Sequence, residues 1–100
     1  MIVDRPSFHD VFKNLFGFPG YYGANMDAWI ECMSELDDAE DRITEFKLDR
    51  GETLQIEVAG VESLAKRVPE VFEELILCTA FVNQNYLERT GKAVVCMVFL

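Results

Sequence analysis

The sequence predicts an α/β fold in which a small, three-stranded, mainly parallel sheet packs against helices. Three observations carry that expectation. Apolar residues recur at helical spacing over 8–16, 26–36 and the long stretch from Pro69 to Arg89. Apolar, β-rich runs stand at 53–58 and 93–100, with a shorter one at Ile2-Val3. The chain has 100 residues, 50% of them hydrophobic, with six Gly and three Pro. That profile fits one domain spanning 1–100, able to bury roughly two-thirds of its unfolded surface without staples.

Taken in order, Ile2 and Val3 open a very short strand before Pro6. Ser7 then reads as an N-cap, with Asp10 three residues on in an approximate capping box. Phe8, Val11, Phe12, Leu15 and Phe16 make one apolar helix face, read as core, and Gly17 sits where a helix ends. His9 falls on the polar side of this helix, as a surface histidine. Phe18 to Gly23 is a loop in which Pro19-Gly20 marks a turn. Asn25 is a good N-cap, and Asp27 falls in the first turn, where the helix dipole favours negative charge. Met26, Trp29, Ile30, Met33 and Leu36 give a second apolar face, so this helix runs to about Leu36.

Ile43, Phe46 and Leu48, then Leu54, Ile56 and Val58, alternate on either side of Asp49-Arg50-Gly51. That pattern predicts a β-hairpin arm over 43–58, with its second strand at Thr53–Val58. Val61 to Arg67 makes a short helix, and Pro69 opens a long one of about 30 Å to Arg89. Near its end Gln84, Asn85, Tyr86 and Glu88 read as a solvated face. Thr90-Gly91 closes it. Ala93 to Leu100 reads as a strand buried on both faces. The order β-α-α-(hairpin) β-α-α-β leads to a small sheet covered by helices.

Eighteen acidic residues against nine basic ones give a net charge of −9. Such a chain is a poor binder of nucleic acid or of an anionic membrane, and well suited to a basic protein partner. The odd count of cysteines, Cys32, Cys78 and Cys96, reads as three buried thiols in a reducing, cytoplasmic compartment. One histidine and no D-x-[DN]-x-[DN]-G spacing leave little for a metal site, and no cofactor motif is present.

The most informative stretch lies between Lys13 and Arg42, which holds no basic residue. Within it stand the acids Asp27, Glu31, Glu35, Asp37, Asp38, Glu40 and Asp41. Asp27, Glu31 and Glu35 are spaced i, i+4, i+8, one stripe opposite the apolar face. Like charges at i, i+4 each cost roughly 0.2–0.5 kcal/mol on an exposed helix. A solvated helix face fits this spacing, and so does a docking surface for a cationic site. Tyr21-Tyr22 precedes the stripe. Tyrosine suits interfaces, and it also suits anchoring a loop to a core, which at least one of the two rings should do.

The run Pro19-Gly20-Tyr21-Tyr22-Gly23-Ala24-Asn25-Met26-Asp27-Ala28, followed by Trp29-Ile30-Glu31-Cys32-Met33, resembles the hallmark of the barstar family. These are small cytoplasmic inhibitors of barnase-type ribonucleases. The resemblance implies a three-stranded parallel sheet against helices, in agreement with the element order. It also implies a loop and helix that plug the nuclease active site, with a helix acid where substrate phosphate would sit. Tyr21, Tyr22, Gly23, Asn25 and Asp27 match the family's contact residues. Glu31 stands at its principal acid and is one methylene longer, so the fork it offers an arginine shifts. Ile30 replaces an aromatic, with Trp displaced to Trp29, and a second aromatic falls near Leu36. The family's late helix acids fall near Tyr86 and Thr90, with Glu88 between them. The segment 37–52 is longer and more acidic.

The expectation is therefore an inhibitor or immunity protein, not an enzyme. Its partner-binding residues would be Tyr21, Tyr22, Gly23, Asn25, Asp27, Glu31 and Glu35. Two alternatives remain: an α/β module for a basic, non-nuclease partner, and an enzyme using Asp27 and Glu31 as an acid/base pair.

Overall fold

The computed structural model describes residues 2–38 and 44–100. Helix α1 (Arg5–Phe16) starts one turn earlier than the Ser7 cap predicts. Asp4 is the cap: its side chain accepts from Ser7 N, while Ser7 Oγ accepts from the backbone N–H groups of Val3 and Asp4. Pro6 is tolerated because the first helical residues need no N–H partner. Ile2-Val3 forms no strand among the described residues. The reason is local, since the Val3 N–H is committed to the cap.

Helix α2 (Met26–Met33) ends three residues before Leu36, at Ser34. Leu36 is nonetheless fully buried, carried into the core by a turn. Strand β1 (Leu54–Val58) is followed by α3 (Val61–Arg67) and α4 (Pro69–Thr90), with Val68 between the two helices. The last element is β2 (Val95–Phe99). The sheet is two-stranded and parallel, with Leu54 opposite Val95 and Val58 opposite Phe99. The α/β class and the parallel pairing hold, and the expected third strand is not found among the described residues.

The hairpin over 43–58 is corrected too. Ile43 lies outside the described residues, and 44–49 is not a strand. Its backbone donors go elsewhere: Glu45 N to Gly17 O, Phe46 N to Phe16 O and Leu48 N to Leu36 O. This segment ties the ends of α1 and α2 together instead of pairing with β1. Gly17 is required there. Its φ is +66°, and a Cβ on it would come within 2.5 Å of Glu45 Cβ.

The core lies where α1, α2 and α4 meet the inner face of the sheet. Phe8, Phe12 and Trp29 form an aromatic cluster, with the Phe12 and Trp29 rings edge to face at 5.4 Å. Met33, Leu75, Val82 and Tyr86 complete it. β2 is buried on one face rather than both, since Cys96 is exposed. Cys32 and Cys78 are buried, so only two of the three thiols are enclosed as expected.

Candidate functional site

Gly17 closes α1 in the left-handed conformation, and the chain turns into the loop that precedes α2. Phe18 N donates to Lys13 O, and Tyr22 N donates to Pro19 O across the Pro19-Gly20 turn. Phe18 is buried and supports the Tyr22 ring at 4.9 Å. The two tyrosines divide. Tyr22 is half-buried between Phe18 and His9, and its hydroxyl shares a hydrogen bond with His9 Nδ1. Tyr21 is 79% exposed.

The expected surface histidine is thus a buried one. His9 is 3% exposed, and burial pushes its pKa down, against the nearby carboxylates of Glu74 and Asp10. Burial also pushes the Tyr22 hydroxyl pKa well up, so it stays protonated. The contact pins the loop to α1. The helical spacing did not reveal it, because His9 borders the apolar face without belonging to it.

Gly23 and Ala24 lead to the cap. Ala24 adopts φ +53°, the left-handed region that costs a non-glycine residue about 1–2 kcal/mol. Asn25 is extended; its side chain accepts from Ala28 N at 2.8 Å, and its carbonyl from Trp29 N at 3.0 Å. Trp29, Cys32 and Met33 turn inward. Asp27 and Glu31 are exposed, about 6 Å apart along the axis, and neither forms an ion pair among the described residues. Asp27 complements the helix dipole. Glu31 opposes it in the last turn, which holds no basic residue.

Glu35 does not continue the stripe, because the helix has ended; it sits half-buried in the turn. Asp37 is also withdrawn. Its side chain is 7% exposed and paired with Arg89 at 3.0 Å. Three α4 side chains hold this end of α2. Arg89 also donates to Ser34 O at 2.7 Å, and Asn85 donates to Ser34 Oγ at 3.0 Å. Tyr86 donates to Met33 O at 2.6 Å and accepts from Leu36 N at 3.1 Å. The expected solvated face at 84–88 holds for Gln84, Asn85 and Glu88, which are exposed, and is corrected at Tyr86: that ring is wholly buried, and its hydroxyl is pushed up to about 12 by burial.

A cleft of about 530 Å³ beyond α2 is lined by Asp37, Arg50, Arg89 and Lys92, and it includes neither Asp27 nor Glu31. Among the described residues no cluster of three His, Cys, Asp or Glu side chains is arranged to hold a metal ion. No helix among them is long and apolar enough to cross a membrane. Glu40 and Asp41 of the acidic segment lie outside the described residues.

The family model described as barstar (barnase inhibitor) matches residues 1–99. The chain belongs to the barstar family. Among curated proteins and among solved structures no match is found. Barstar membership accords with a non-enzymatic, inhibitory protein.

Proposed function

We propose that this barstar-family chain is a cytoplasmic inhibitor that occludes the cationic active site of a barnase-type ribonuclease. The loop Tyr21–Asn25 and the Asp27/Glu31 face of α2 would enter the cleft, with Glu35 at the rim. The observation that carries the reading is the pair of exposed carboxylates at Asp27 and Glu31. They stand without an ion-pair partner among the described residues, on a helix capped by Asn25 and clamped by α4. A helix that keeps two like charges in register, the second against its own dipole, sacrifices stability that a basic partner would restore. Inhibition then needs no covalent step. The carboxylates take the place of substrate phosphate, and the exposed Tyr21 ring adds rigid contact area at low entropic cost. Exposed Cys96 carries a free thiol, which suits a reducing compartment.

Titration into a barnase-type ribonuclease, followed by RNA cleavage, tests this. Inhibition should be complete near one-to-one. Glu31→Ala should weaken it by about tenfold to a hundredfold, the worth of one or more hydrogen bonds between charged groups. Unchanged inhibition by that variant would place the contact elsewhere. Absence of inhibition by the unaltered chain would move the reading to another basic partner.

A further inference from the structure

A two-stranded sheet has two open edges, and its register determines which backbone groups each edge presents. Leu54 N donates to Val94 O, and Leu100 N donates to Val58 O. Bonding residues alternate along a parallel ladder. Leu54, Ile56 and Val58 therefore face β2, while Gln55 and Glu57 turn their N–H and C=O groups outward. Among the described residues nothing bonds those groups. The edge of β2 is different. There the Asn83 side chain accepts from the N–H groups of Val94 and Val95 and donates to Val95 O, closing the start of that edge.

Beside the β1 edge runs a groove of about 300 Å³. Val11, Phe12 and Leu15 of α1, Ile56 and Val58 of β1, and Leu64 of α3 line it. Leu15 is 63% exposed, although it belongs to the apolar stripe of α1. Arg67 stands at the rim and has no carboxylate partner among the described residues. Glu57 lines the groove as well; its side chain is exposed and accepts from Gln55 Nε2, on the face of the strand opposite Ile56 and Val58. The groove thus combines free strand-edge groups, an apolar wall and one unpaired guanidinium.

We infer that this groove binds the extended, apolar C-terminal tail of a partner protein. The tail adds to β1 as a third strand, bonding Gln55 and Glu57. Its alternate side chains enter the groove, and its terminal carboxylate meets Arg67. A fatty acid would satisfy Arg67 and the wall but leave the strand edge unbonded. A second copy would bring one chain of net charge −9 against another. A neutral, apolar tail carrying one carboxylate meets all three features, and the site is separate from the Asp27/Glu31 face.

The test is fluorescence anisotropy of a labelled hexapeptide that alternates valine and threonine and ends in a free carboxylate, titrated with the full chain. We expect saturable one-to-one binding, weakened about tenfold or more by amidation of the peptide or by Arg67→Ala. Leu15→Glu, at an already exposed position, should abolish it while far-UV circular dichroism stays unchanged. Equal affinity for acid and amide, or binding indifferent to Leu15→Glu, would overturn the proposal. Arg67-dependent binding of decanoate with none of the peptide would overturn it in favour of a small amphiphile. A concentration-dependent dimer lost in Leu15→Glu, without peptide binding, would overturn it in favour of a second copy.

Discussion

His9 and Tyr22 form a contact that joins α1 to the loop before α2, and its chemistry depends on pH. His9 is enclosed and its pKa lies below the ordinary 6.5, chiefly through burial. As the pH falls below about 6.5, the unfolded chain takes up a proton that the native chain resists. Native stability should therefore fall on acidification through this window and be fully regained above it. Urea unfolding at several values between pH 5.5 and 7.5 checks the slope. His9→Gln, which can still accept from the Tyr22 hydroxyl, should flatten it; an unaltered slope would assign the effect to other groups. Trp29 raises a different point at the same scale. Its indole N–H is buried with no acceptor among the described residues. The ring is held by packing, edge to face on Phe12.

At the scale of elements, α2 is short. An isolated helix of eight residues is not stable in water, so its form depends on what holds it. Asn25 supplies the start, and Asn85, Tyr86 and Arg89 supply the finish. Tyr86→Phe would leave Met33 O and Leu36 N without their hydroxyl partner. It should cost about 1–3 kcal/mol, read as a lower urea midpoint at unchanged slope. A cost below about 0.5 kcal/mol would mean that solvent replaces the hydroxyl. The strands show the same dependence on context. Phe46 and Leu48 alternate as a strand would, yet their N–H groups reach Phe16 and Leu36, and the hairpin is forgone. Periodicity reports which side chains face inward, and it is silent on where the backbone donors find acceptors.

For the whole molecule, the net charge of −9 makes association with a cationic partner a long-range affair. Raising salt from 0.05 to 0.5 M shortens the Debye length from about 14 Å to about 4 Å. Stopped-flow association with the ribonuclease should slow by about tenfold or more over that range, with a smaller change in dissociation. An association rate indifferent to salt would remove the steering role from the acidic surface. The core itself owes little to charge. Its apolar side chains come from α1, α2, α3 and α4 and the inner face of the sheet, which is why the α/β class was legible in the apolar spacing.

The sequence by itself determined the helices, their apolar faces, the Asn25 cap and an acidic stretch without a basic residue, because these are written in local spacing. It determined family membership too, through the loop-and-helix motif. The tertiary structure alone decided that Tyr22 anchors while Tyr21 is presented, that His9 is enclosed, and that Glu35 leaves the Asp27/Glu31 face. It also decided that the described residues pair only two strands into the sheet. Those outcomes turn on hydrogen bonds between residues far apart in the chain, as from Tyr86 to Met33 or from Phe46 to Phe16, and no local pattern records which groups will meet.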